Sequence, residues 1–81
     1  MDVVLAAYSM QRILEDSSYC GTTEHTSRQH LFYMIQQITR KVVQDDKAHR
    51  YLGWIQGCVC EAGVATLDEI KVINRNSFED P

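Results

Sequence analysis

The sequence predicts an all-α fold: a small compact helical bundle of three main helices plus a short C-terminal helix, homo-oligomeric. Three observations predict it. Breakers are scarce, with four glycines in 81 residues and one proline, which is the last residue. Apolar residues recur three and four apart along most of the chain, the period of a helix buried on one face. Capping signals separate the periodic stretches. At this length one domain, 1–81, is expected, burying only ~60–65% of its extended surface.

The first helix is expected from Asp2 to about Ser17. Val3, Ala6, Ala7, Met10, Ile13 and Leu14 make its buried stripe. Ser17 to Ser27, rich in Ser, Thr and Gly21, reads as a loop. Thr26 followed by Gln29 has capping-box spacing and opens the second helix. Leu31, Met34, Ile35, Ile38 and Val42 form its apolar face, and it should end near Gln44. Asp45 and Asp46 offer a cap for a third helix from about Lys47 to Ala62, with Ala48, Tyr51, Leu52, Ile55, Cys58 and Val59 inward. Gly63 stands where a left-handed residue would end that helix. Thr66-Leu67-Asp68-Glu69 is a second capping box with two acids in the first turn. The short helix it opens carries Leu67, Ile70, Val72 and Ile73 and should fray by Asn76. The polar tail from Ser77 to Pro81 is expected to be loose.

Two surfaces are left over once this core is filled. Val4, Leu5 and Tyr8 lie off the first helix's buried stripe, and a helix apolar most of the way round is covered on more than one side. A snug intramolecular core or a second copy would both serve; the thin core of so short a chain favours the second copy. Gly53 and Gly57 share one face of the third helix, each at ~1 kcal/mol of helix propensity relative to Ala. Close helix packing explains that spacing, and so does the approach of a flat ligand. Trp54 stands one position off that face and reads as core or interface.

Chemistry-bearing motifs are missing. No phosphate loop and no H-E-x-x-H occurs, and nothing marks a nucleophile or its base, so no enzyme is expected. Cys20, Cys58 and Cys60, with His25, His30 and His49, lack metal-ligand spacing, so neither metal nor cofactor is expected. Reduced, mostly buried thiols in a cytosolic protein are the plainer reading. Met1-Asp2 carries no basic leader, and the longest apolar run, Val3 to Tyr8, is far below the ~20 residues of a membrane span. The expectation is therefore a cytoplasmic chain away from membranes. Eight basic against eleven acidic residues give a net charge of −3, a poor match for a duplex backbone. A helix-turn-helix reading of the Gly63–Thr66 turn would set Asp68 and Glu69 against phosphates, so no duplex nucleic acid is expected. A small anion held by a few cations stays open.

The segment Arg50-Tyr51-Leu52-Gly53-Trp54-Ile55-Gln56-Gly57, followed by Gly63, Thr66-Leu67-Asp68-Glu69-Ile70 and Asn74-Arg75, carries a resemblance. It is similar to the C-terminal half of small phage proteins of the anti-CBASS cyclic-nucleotide sponge family. The likeness covers roughly residues 47–75. The N-terminal half is similar in plan: an apolar helix carrying a tyrosine, a polar loop, then a helix opening with Arg-Gln-His. The Arg50–Gly57 string is moderately specific; the Thr66–Glu69 cap is common in unrelated helices.

The resemblance implies a homo-oligomer, a hexamer, that sequesters cyclic di- and trinucleotides in the host cell cytosol without hydrolysing them. The family pairs a first-helix tyrosine with a basic residue and a threonine near the second helix. Tyr8 and Thr26 match in type and rough position. No lysine lies between residues 1 and 40, so His25 or Arg28 would have to serve as the basic partner. Arg50, by its place in the matching string, is the candidate phosphate contact of a second, trinucleotide-type pocket. An inhibitor that docks on a host protein through the apolar first helix is the competing expectation.

Overall fold

The computed structural model describes residues 2–77. Those residues form four α-helices and no strand: α1 Val3–Glu15, α2 Arg28–Thr39, α3 Asp45–Glu61 and α4 Leu67–Asn76. A single 3₁₀ turn, Glu24–Thr26, precedes α2. The helices α1, α2 and α3 pack pairwise around one core, and α4 lies against α1. Met10, Leu14, Leu31, Ile35, Leu52, Ile55 and Val59 are its largest fully buried contributors, with Ile38.

Three of the four helices start where a side-chain oxygen takes up orphan N–H groups; α3, with Gln44 at its cap position, has no such bond. The Asp2 carboxylate accepts from the Val4 and Leu5 N–H at 3.0 and 3.3 Å, so Asp2 caps α1 rather than belonging to it. The cap of α2 is Ser27, whose hydroxyl accepts from the His30 N–H at 3.1 Å. Thr26, expected in that role, instead closes the 3₁₀ turn with Thr23: the Thr23 N–H donates to its hydroxyl at 3.0 Å. At α4 the expected capping box is present. The Thr66 hydroxyl accepts from the Glu69 N–H at 3.1 Å and the Glu69 carboxylate from the Thr66 N–H at 3.0 Å.

Two helices end in the same left-handed motif. At α3 it is built on Gly63, φ 75°, with the Val64 N–H donating to the Val59 carbonyl and Gly63 to that of Cys60. That is the Schellman arrangement expected of glycine. At α2 the same pattern is built on Lys41, φ 58°, with Val42 donating to Gln37 and Lys41 to Ile38. The helix therefore stops at Thr39, short of the expected Gln44. This early stop turns Val42 into solvent and puts Val43 in the core. Asp45 also has a positive φ of 54°, and α3 begins there, with Gln44 at the cap position and both aspartates in its first turn.

Two further expectations change. On α4 only Ile70 is buried outright; Leu67 and Val72 face solvent. Ser77, expected to begin a loose tail, is buried. Its hydroxyl donates to the Ile73 carbonyl at 2.8 Å, and its carbonyl accepts from the Asp2 N–H at 2.6 Å, tying the end of α4 to the start of α1. Residues 78–81 lie outside the described part. No described helix is long and apolar enough to cross a membrane.

Candidate functional site

Between Leu14 and Arg28 the chain is held by side chains, although its composition is that of an open loop. Tyr19 is 5% exposed and its hydroxyl donates to the Thr26 carbonyl at 2.5 Å. Gly21 lies so close to that carbonyl that a Cβ there would sit 1.9 Å from its oxygen, and only glycine permits the approach. The Trp54 indole N–H, from α3, donates to the His25 carbonyl at 2.9 Å. Arg28 donates to the Ser17 carbonyl at 3.0 Å and lies over the Phe32 ring.

This ordered loop forms one wall of a groove of about 530 Å³ whose other wall is α3. Tyr19, Cys20 and Thr26 line the loop side; Gly53, Trp54, Gly57, Cys58 and Glu61 line the helix side. A Cβ added at Gly53 or Gly57 would meet nothing within 4 Å, so neither glycine is required by packing within the chain. Burial raises the Cys58 thiol pKa, partly opposed by the Tyr19 hydroxyl beside it; burial likewise raises Tyr19, with Cys58 adding to the effect. At neutral pH both groups are therefore neutral, and the groove is largely apolar.

A second groove, about 460 Å³, runs between α1 and the end of α4. Leu5, Tyr8, Ile13 and Ile73 give it apolar walls; Ser9, Arg12 and Asn76 give it polar ones. Tyr8 is 54% and Leu5 49% exposed, which leaves the ring and the isobutyl group accessible.

The sequence-derived candidates thus divide. Tyr8 lines the α1–α4 groove, and Thr26 lines the other, so one chain does not bring them into a common pocket. His25 gives its carbonyl to Trp54 and stacks its ring edge-on against His30, 5.4 Å between centroids. Arg28 is engaged with Ser17 and Phe32 rather than directed at either groove. Arg50 is exposed on α3, three and four residues before Gly53 and Trp54 and hence on their face.

Three residues of the grooves were not singled out from the sequence as site residues. Arg12 stands four residues after Tyr8, a spacing that already places both on one face. Trp54 has the same relation to Arg50. Tyr19 sits in a Ser/Thr-rich stretch with no periodic signal, and only tertiary contacts reveal its burial. Every buried side-chain nitrogen or oxygen among the described residues has a hydrogen-bond partner. Among them no group of three His, Cys, Asp or Glu is placed to hold a metal ion. No protein family, curated protein or solved structure matches the chain.

Proposed function

We propose that the chain is a non-catalytic binding protein that sequesters cyclic di- and trinucleotides as a homo-oligomer, blocking the host's anti-phage signalling from the host cytosol. One observation carries this reading. The α1–α4 groove sets an exposed aromatic ring and an arginine four residues apart on one helix, Tyr8 with Arg12, and Arg50 adds an exposed cation on α3. A ring stacks a base, and a guanidinium takes a phosphate by paired N–H groups. A ligand with two or three bases and as many phosphates needs that pairing repeated, which symmetric copies supply. The acidic balance of the chain is no obstacle, because so few phosphates need so few cations.

In this reading Tyr8 contacts a base of the dinucleotide, and Arg12 supplies the cation for which His25 and Arg28 stood as candidates. Thr26 reaches that ligand only from a neighbouring copy. Arg50 contacts phosphate in the trinucleotide pocket. Titration calorimetry against a panel of cyclic di- and trinucleotides, with linear dinucleotides as controls, tests the proposal. Saturable binding of a cyclic ligand is expected, with no turnover product. Heat changes absent across the whole panel overturn it.

The exposed Leu5 and Tyr8 favour a second reading, an inhibitor whose α1 face docks on a host protein. That reading gains if the panel is silent and the chain is monomeric by light scattering.

A further inference from the structure

The outward face of α3 has a pattern of which the single chain uses only Trp54, through its bond to the His25 carbonyl. Arg50, Gly53, Trp54, Gly57 and Glu61 succeed one another at helical spacing, opposite the buried Ala48, Leu52, Ile55 and Val59. Trp54 is 47% exposed, and the two glycines have empty space where side chains would be. The face carries its cation at one end and its carboxylate at the other, about 16 Å apart at 1.5 Å per residue.

That order is self-complementary in one orientation. When a second α3 runs antiparallel across the first, residues whose numbers sum to the same value face each other. With the sum at 111, Arg50 opposes Glu61 of the second copy and Trp54 opposes its Gly57. Both pairings then recur by the two-fold axis, as an isologous interface demands. A large flat ring meets the missing side chain of glycine, and each end closes with opposite charges. A parallel arrangement would bring Arg50 to Arg50 and Trp54 to Trp54.

We propose that the α3 groove is the contact between two copies of this chain, paired antiparallel in that register. The interface accounts for Gly57, a glycine in a helix interior that costs ~1 kcal/mol against Ala with no contact inside the chain to require it; in the same register Gly53 faces Cys58. It also places Trp54, already held by the His25 carbonyl at 2.9 Å, as a preformed knob. The proposal deepens the homo-oligomer of the proposed function by naming one of its contacts, and does not depend on ligand binding. A guanidinium has five N–H donors, so Arg50 keeps some for a phosphate while facing Glu61.

The test is a charge swap read by sedimentation equilibrium on the full chain without nucleotide. Wild type should have a mass of two or more copies of the 9.3 kDa chain. Glu61→Arg sets like charges together at both ends and should weaken self-association at least about tenfold. The double variant Arg50→Glu/Glu61→Arg should restore it. Gly57→Leu should also dissociate the pair while leaving helix content unchanged, since a Cβ at 57 meets nothing within 4 Å and the rest of the side chain enters the open groove. The sole tryptophan gives a second reading: its emission should shift to the red on dilution as Trp54 becomes wet. A monomeric wild type, or a charge swap no better than Glu61→Arg alone, overturns the pairing. Silent calorimetry with an intact swap result would overturn the nucleotide reading and leave the pairing standing.

Discussion

Gln56 and Asn74 form the one reciprocal side-chain amide pair among the described residues, and its removal has a calculable cost. Gln56 faces inward from α3 and is 9% exposed; Asn74 is half-buried on α4. The Gln56 amide donates to the Asn74 oxygen at 2.7 Å, and the Asn74 amide donates back at 3.3 Å. Asn74→Ala leaves a buried amide with neither partner. An unsatisfied buried group costs ~1–3 kcal/mol, and partial access of water at Asn74 places this one near 1.5. For a domain of this size each kcal/mol shifts Tm by about 4–8 °C, so a fall of about 6–12 °C is expected. The shape-matched pair Gln56→Met/Asn74→Leu removes both polar groups together and should lie close to wild type. Thermal unfolding followed by far-ultraviolet circular dichroism measures all of these variants. If Asn74→Ala is no worse than the double variant, the pair is not coupled and α4 is held by Ile70, Ile73 and Ser77 without it.

The other expectations are briefer. Lys41→Gly should stabilise the chain by about 0.5–1 kcal/mol, because the left-handed conformation that penalises lysine suits glycine; a urea titration with no rise in midpoint refutes it. Glu69 is held below the usual carboxylate range by the Thr66 N–H it accepts, so its contribution is complete above the unfolded-state pKa and is lost as pH falls through the lower folded value. Wild type should therefore exceed Glu69→Gln in Tm at neutral pH, and the gap should close in acid; a gap that persists in acid assigns it to something other than ionisation. Tyr8→Ala should weaken cyclic dinucleotide binding by ~1–3 kcal/mol with helix content intact, and unfolding instead would make Tyr8 a core residue. Arg50→Ala should abolish trinucleotide binding, since hydrogen bonds to charged groups are worth ~1.5–3 kcal/mol each and symmetry multiplies the loss. Dinucleotide binding should survive in that variant; loss of both ligands would mean one shared pocket.

The helices were legible because burial has a period. Of the two expected stripes, Ala6, Ala7, Met10 and Leu14, and Ala48, Leu52, Ile55 and Val59, are buried, while Val3, Ile13, Tyr51 and Cys58 are half-buried against them. Boundaries were legible only where residue type dictates the backbone. Gly63 announces a left-handed stop; Lys41 makes the identical stop and announces nothing, so α2 read five residues too long. Thr26 and Ser27 are adjacent hydroxyls that cap equally well in isolation. Tertiary demand decides between them: Tyr19 binds the Thr26 carbonyl and Thr23 its hydroxyl, leaving Ser27 for the helix. The candidate site was less legible still. Tyr8 and Arg50 could be placed on exposed faces, but the grooves beside them depend on where α4 ends and on how Gly21 folds the loop against Thr26.

The string from Arg50 to Gly57 separates what the fold needs from what it does not. Leu52 and Ile55 fill the core, and Gln56 holds α4 through Asn74, so the inward residues are explained by stability. Outward, Trp54 holds the loop through the His25 carbonyl, but the two glycines beside it have no such part. If stability alone had shaped α3, alanine at 53 and 57 would lower the energy by ~1 kcal/mol each, with open space to receive both methyl groups. A chain of this length has only about 4–12 kcal/mol of net stability, so two such losses are a substantial fraction of it. Glycines kept at that cost, beside a half-exposed tryptophan and between opposite charges, point to a contact outside the single chain. The face is shaped for whatever seats on it, and its residue order fits a second copy of itself.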